Sequence, residues 1–362
     1  MLIAPLDWGL GHATRCIPIT KSLINNGFNV LIAASGAQQK LLQKEFPAIE
    51  IIHIDGYNIQ YATSKKWLPF KILWQLPKIF KAIRAEHRWL NRLMHERKID
   101  YIISDNRYGL WNKKIISVFI THQLRIKAPF TWLEALMQKI NYHHINRFNV
   151  CWVPDAPPAQ MPIGGDLSHP LQKPAITVSY IGLLSRFSLP TATTKEFTYD
   201  FCILLSGPEP QRTLLEQKLL SQIKDTRYSV VLIQGKPSLS PAEALNESVR
   251  IISHLPGESL QKILQQSEFI ISRSGYTTVM EVIALQKKAI FIPTPRQTEQ
   301  EFLAKELMDK QLCYSVSQER FSWDEVVVAA KNFSYQTIVP AVFSGDSIVS
   351  LLKDAASAFH SS

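Results

Sequence analysis

The chain has 362 residues, 46% of them hydrophobic and 19% charged; that balance excludes dominant disorder and, at about 150 residues per domain, predicts two domains. Four scattered cysteines, Cys16, Cys151, Cys202 and Cys313, exclude a disulfide scaffold and read as buried free thiols of a reducing compartment. The net charge of +10 is lopsided, because residues 1–181 hold 22 Lys+Arg against 11 Asp+Glu and the remainder 18 against 19, so the first half alone expects an anionic partner.

The opening MLIAPLDWGLGHATR has no basic stretch and carries Asp7 inside its first apolar run, so no signal peptide is expected. No apolar run reaches the roughly 18 residues that a membrane-spanning helix needs. Short β-branched runs predict strands over 2–6, 29–33, 50–54, 100–104, 115–121 and 149–153. Near-continuous apolar strands such as SVFIT suit a parallel sheet covered on both faces. Helical spacing predicts helices over 12–26 and 36–46, then one long helix or a helix pair over 70–98 with Pro77 as a break. Residues 182–197 are rich in Ser, Thr and Pro, lack a period and read as a linker. Beyond it the pattern restarts, with strands in FTYDFCILLS, YSVVLIQ, VRIISHL, SEFIISRS and KAIFIPT. PQRTLLEQKLLSQIKD, SLQKILQQ, YTTVMEVIAL and EQEFLAKELMD read as helices. The segment SGDSIVSLLKDAASAF is helical, either a final domain helix or a strap crossing back. The architecture expected is two doubly wound α/β domains with a cleft between them, over 1–181 and 198–345, followed by a helix over 346–362.

In open α/β sheets, ligands bind beyond the carboxyl ends of the strands, so polar and glycine residues there are the candidates. The first strand runs into Asp7-Trp8-Gly9-Leu10-Gly11-His12, where two glycines allow a tight turn and His12 begins a helix. A helix N-terminus disfavours the imidazolium and keeps such a histidine a neutral base; a capped turn with a solvent-facing histidine is the plainer alternative. Asp105, at another strand end, would orient or charge-stabilise His12. Its neighbour Asn106 and His122, a rival base or acceptor contact, stand at strand ends too. Each is equally compatible with a polar residue satisfying loop backbone. The tandem His143-His144 has no partners at metal spacing and reads as a surface feature.

In the second half, Ser272-Arg273-Ser274-Gly275 joins a strand to a helix and offers backbone N–H groups to an anion, with Arg273 adding charge. Glu281 lies six residues on, about 9 Å at 1.5 Å per residue, a reach that suits a ribose when phosphates occupy the helix start. Ser206-Gly207 and Ser253-His254-Leu255-Pro256 end other strands. Gln297, Glu299 and Gln300 open a helix after IFIPT, where acidic and amide side chains suit vicinal hydroxyls.

GLGHATR, SRSGYTTVMEVIA and PTPRQTEQEFLAKEL together resemble the family 28 glycosyltransferases of GT-B fold, over nearly the whole chain. The resemblance implies two Rossmann-like domains facing a central cleft and a final helix returning to the first. The domain over 1–181 would bind the acceptor and that over 198–345 a nucleotide sugar, most often a UDP-sugar. Ser274 and Gly275 would hold the diphosphate, with Ser206 and Gly207 as a second phosphate-facing loop. Glu281 would take the ribose, and Glu299 and Gln300, preceded by Gln297, the sugar hydroxyls. Gly11 would border the reaction centre, with His12 as general base. The loop Gly9-Leu10-Gly11-His12 lacks the extra glycine of the murein enzymes, so donor sugar and acceptor are not carried over. The implied reaction is an inverting transfer that uses no metal or cofactor, from a UDP-sugar to a hydroxyl of a lipid-linked or glycan acceptor. A nucleotide-sugar 2-epimerase and a non-catalytic nucleotide-sugar-binding subunit are the alternatives.

Residues 65–98 carry ten Lys/Arg against Glu86 and Glu96, interleaved with Trp67, Phe70, Trp74, Phe80 and Trp89. A basic, aromatic amphipathic helix is attracted to an anionic membrane surface, and KAPFTWLEALMQKINYHHINRF is a second such stretch. The alternative is a helix packing its aromatic face on the sheet. No base-reading module follows, so nucleic acid is not expected. The expected location is cytoplasmic, peripheral at the inner face of the cell membrane.

Overall fold

A computed structural model describes residues 1–57, 68–128, 130–188, 196–236 and 243–360, with 68–76 and 243 described by backbone alone. The chain divides into two compact units, Met1–Leu184 with Ala341–Ser362, and Ser185–Pro340.

The first unit is built on a seven-stranded sheet: β1 (Leu2–Pro5), β2 (Leu31–Ala34), β3 (Ile51–His53), β4 (Tyr101–Asp105), β5 (Ile116–Ile120), β6 (Val150–Val153) and β7 (Thr177–Tyr180). The order is β3-β2-β1-β4-β5-β6-β7 and every pairing is parallel. Strands buried on both faces read as unbroken apolar runs; β5 is buried at all five positions. The edge strand β7, half-buried and of mixed polarity, carries no such signal and is absent from the strands that the pattern predicts.

Between the strands run α1 (Gly11–Asn25), α2 (Gly36–Glu45), α3 (Leu68–Glu96) and α4 (Thr131–Ile145). Pro77 does not break α3, which continues through it as one 29-residue helix. Ile83, Glu86, Leu90 and Leu93 form its buried face. The chain returns at 341–343, where Leu183 donates to Ala341 O (2.7 Å) and Phe343 donates to Leu183 O (3.0 Å). The last helix, α10 (Ile348–His360), buries Ile348, Leu352 and Ala355 within this unit.

The second unit carries its own seven-stranded sheet: β8 (Tyr199–Leu204), β9 (Val230–Ile233), β10 (Glu243–Ala244), β11 (Val249–Ile252), β12 (Ser267–Ser272), β13 (Lys288–Phe291) and β14 (Tyr314–Ser315). The order is β10-β11-β9-β8-β12-β13-β14, parallel except for β10 against β11. Its helices are α5 (Gln211–Ile223), α6 (Gly257–Gln265), α7 (Tyr276–Ala284), α8 (Thr298–Asp309) and α9 (Trp323–Asn332). Phe201, Ile203, Leu232, Phe269 and Ile271 form the core with Trp323; each such burial stabilises by about 1.5–3 kcal/mol. In both units parallel pairing gathers strand ends and helix starts on one edge of the sheet, which places the candidate side chains there.

All four cysteines are buried and free. Among the described residues no helix is long and apolar enough to cross a membrane.

Candidate active site

In the first unit, β1 leads through Gly9, whose φ of +68° favours glycine, into α1. Gln38 of α2 pins this loop, its Nε2 donating to Leu6 O (2.5 Å) and Gly9 O (2.7 Å). His12 is the second residue of α1, and its Nδ1 lies 3.1 Å from Oδ2 of Asp105 at the end of β4. Asp105 is fully buried, whereas the His12 side chain keeps 12% of its exposure. The structure thus brings His12 and Asp105 together. Asn106 follows with φ +57°, a left-handed conformation that asparagine tolerates.

Arg15, which sequence reasoning left without a role, completes the cluster. It stands three residues after His12, so both project from one face of α1. Its Nε donates to Asp105 Oδ2 (2.7 Å), and one terminal nitrogen donates to Oδ1. The other terminal nitrogen meets His122 Nδ1 at 2.9 Å. The terminal nitrogen on Oδ1 also lies 2.8 Å from His12 Nδ1, so one guanidinium faces both imidazoles. Burial alone would raise the Asp105 pKa, but Arg15 and His12 hold it well below the usual carboxylate range. Burial pushes His12 below its ordinary value, reinforced by Arg15 and opposed by Asp105. The group at the helix start is therefore a neutral imidazole.

Two expectations for this unit change. His144 is not a surface feature: it is 6% exposed, with its ring against Tyr108 and Phe80 and neither nitrogen hydrogen-bonded. Burial, followed by Arg147 and His143, pushes it down to about 4. Glu86, counted among the charges of a basic face, is buried, accepting from Arg107 (2.8 Å), Tyr57 (2.7 Å) and the Gly109 N–H (3.0 Å).

In the second unit, Gly275 is the N-cap of α7, directly after Ser272-Arg273-Ser274. Ser274 Oγ donates to Gln300 O (2.8 Å), and the Thr294 N–H donates to Gln300 Oε1 (2.8 Å). The Gln300 amide is also what a Cβ at position 275 would meet, at an ordinary 3.8 Å. Ser274, Gly275 and Gln300 therefore form one neighbourhood. Gln297 is the N-cap of α8, and Glu299, half-buried, lies in its first turn. Ser206 and Gly207 follow β8, and Gly207 has φ +104° with open space where a side chain would stand.

Arg273 corrects the expectation of a cation offered to an anion. It is 1% exposed and donates to Ile292 O and Pro293 O (3.1 Å each), Gln211 O (2.9 Å) and Gln318 Oε1 (2.7 Å). The guanidinium ties the ends of β12 and β13 to α5. Glu281 is buried on α7, and its carboxylate lies 2.8 Å from Arg186 Nε in a close charge contact. Burial pushes Glu281 up, and Arg186 opposes that. Arg186, in the stretch read as linker, carries no sequence signal for this pairing.

Among the described residues no group of three or more His, Cys, Asp or Glu could hold a metal ion. Residues 210–333 match the glycosyltransferase family 28 C-terminal domain. An uncharacterized glycosyltransferase of Methanosarcina acetivorans is 23% identical over 314 residues, covering 81% of this chain and 79% of that protein. A UDP-N-acetylglucosamine–N-acetylmuramyl-(pentapeptide) pyrophosphoryl-undecaprenol N-acetylglucosamine transferase of Sulfurihydrogenibium is 26% identical over 124 residues, covering 33% and 34% of the two chains. The crystal structure of Acinetobacter baumannii MurG shares the fold at a TM-score of 0.54 and 17% identity, covering 99% of this chain and 94% of that one. Two parallel-sheet units, the second carrying a family 28 C-terminal domain, make this chain a glycosyltransferase of the GT-B type.

Proposed function

We propose that the chain transfers a hexose or N-acetylhexosamine from a UDP-sugar to a hydroxyl of a lipid-linked acceptor, with inversion and without a metal. The observation that carries this reading is the His12 imidazole at the start of α1, its Nδ1 3.1 Å from a fully buried carboxylate at the end of β4. In the tautomer that donates Nδ1–H to Asp105, with the Arg15 guanidinium hydrogen-bonded to the carboxylate, Nε2 is the basic atom. It takes the acceptor's hydroxyl proton as that oxygen bonds to the anomeric carbon. The bond from that carbon to the diphosphate breaks on the opposite face, and its electron pair leaves with UDP. Such base catalysis contributes roughly 10²- to 10⁴-fold. Asn106 and His122 are the acceptor-side contacts, and Gly11 borders the same loop.

The donor belongs to the second unit. The helix start at Ser274-Gly275, with Ser206 and Gly207, suits the diphosphate. Glu281, held by Arg186, suits the ribose hydroxyls, and Gln297, Glu299 and Gln300 suit those of the sugar. The name of the Sulfurihydrogenibium relative supports both a UDP-sugar donor and a polyprenyl diphosphate acceptor.

The lipid side of the proposal rests on α3. Lys81, Arg84, Arg88 and Arg92 are exposed and lie on the face opposite Ile83, Glu86, Leu90 and Leu93. That stripe suits an anionic membrane surface at about 1 kcal/mol per basic residue. Of the aromatic residues, Trp67 lies outside the described residues, and the side chains of Phe70 and Trp74 are not described; Phe80 and Trp89 are half-buried. Flotation with anionic liposomes at low salt tests this part. Wild type should rise with the vesicles and Arg84→Glu/Arg88→Glu should stay below; a wild type that stays below refutes it. For the transfer itself, UDP release from UDP-sugars with polyprenyl diphosphate acceptors should collapse in His12→Ala. Equal rates would remove the base.

A further inference from the structure

Arg15 has no part in the proton transfer described above, yet it touches every polar member of the cluster that performs it. It is 2% exposed. It grips both oxygens of the fully buried Asp105, and the terminal nitrogen on Oδ1 also lies 2.8 Å from His12 Nδ1. Its other terminal nitrogen reaches His122. Three elements therefore present charged or titratable groups to His12: Arg15 on α1, Asp105 at the end of β4, and His122 just after β5. Cys16 lies 3.8 Å from Asp105 behind them.

A buried carboxylate alone beside an imidazole favours the imidazolium, raising its pKa by about one unit or more. A histidine so paired would already hold a proton near neutral pH and could not accept another. A guanidinium clasped on the same carboxylate cancels that pull, and its own charge, one hydrogen-bond length from Nδ1, opposes a second positive charge on the ring.

We propose that Arg15 is a positioning residue that keeps His12 unprotonated, neutralising Asp105 and setting a cation against the imidazole so that the base stays available below neutral pH. This rests on His12 being the base. It assigns to Arg15 a role distinct from the His–Asp pair, because it acts against the proton that Asp105 would attract.

Histidine-selective 15N NMR on the full chain reads the His12 titration without any substrate, with the signal assigned by its loss in His12→Gln. Wild-type His12 should titrate below the free imidazole value of about 6.5. In Arg15→Met it should move up by a unit or more and pass that value, because Asp105 is left uncompensated. Arg15→Lys, which keeps the charge, should leave it low, and Arg15→Met/Asp105→Asn should bring it down again. If Arg15→Met does not fold, Arg15→Gln removes the charge while keeping amide donors and carries the same expectation. A folded Arg15→Met with His12 unmoved overturns the proposal, as does a wild-type His12 titrating at or above the free value. Unchanged turnover in His12→Ala would instead remove the base reading and leave this titration as it stands.

Discussion

The two sheets end in clusters of opposite character. In the first unit, titratable groups are buried against one another: one guanidinium, one carboxylate and two imidazoles, joined through Asp105 and Arg15. In the second, the strand-end turn is shaped by neutral contacts, Ser274 to Gln300 and Thr294 to Gln300, and its nearby cation, Arg273, is turned into the scaffold. A proton in transit needs a base whose charge state is tuned, and a lattice of buried charges does that. A diphosphate arrives fully charged and needs only a preformed set of donors. On the proposed function, the first cluster sets a pKa and the second holds a shape.

That contrast is broken most severely by His12→Ala, which should lower turnover by roughly 10²- to 10⁴-fold while leaving nucleotide affinity unchanged, as rates and titrations on the same variant would show. Arg273→Met should do the reverse of what a phosphate ligand would do. Three main-chain carbonyls lose a buried donor, and at about 1–3 kcal/mol for each unsatisfied group the melting temperature should fall by several degrees. Nucleotide affinity of the folded protein should hold. A loss of affinity at unchanged stability would return Arg273 to the donor site.

The pH dependence sharpens the same comparison. His144 has a folded pKa of about 4, below the free value of about 6.5. Above pH 6.5 neither folded nor unfolded chain binds this proton, so the group contributes nothing. As pH falls from 6.5 to 4 the unfolded chain binds it first, and stability drops by up to about 3 kcal/mol. His144→Phe should flatten much of that acid limb in urea titrations at pH 7, 5.5 and 4.5, leaving the part due to His12. Asp105 acts lower. Its stabilisation is complete above about pH 4 and is lost only as pH falls further toward its depressed folded pKa.

The smallest effect belongs to Gln38→Ala. Removing the amide that holds Leu6 O and Gly9 O should cost about 1 kcal/mol of stability and a few-fold in turnover, by loosening the loop before His12.

The inner strands were legible in the sequence because parallel strands covered on both faces leave continuous apolar runs; the edge strands β7, β10 and β14 left none. The turns were legible because glycine and polar residues must follow such strands. The partners of those turns were not. Arg273 reads locally as charge beside glycine, and only the fold shows that its acceptors lie on Ile292, Pro293 and Gln211. Arg15 sat within GLGHATR, and its spacing of three from His12 was an available signal. Asp105 and His122, at separations of 90 and 107 residues, were not available as its partners. A lack of partners at metal spacing makes His144 read as a surface feature, but that signal says nothing of burial, and α4 buries Asn141, His144 and Ile145.

The most direct measurement is calorimetric titration of the full chain with UDP, dTDP and GDP, without metal, on wild type and Glu281→Ala. UDP should bind wild type and lose about tenfold or more in Glu281→Ala, since a hydrogen bond to a charged group contributes about 1.5–3 kcal/mol. Binding of none of the three nucleotides, or equal affinity in the two proteins, would contradict the assignment of the donor to this turn and helix.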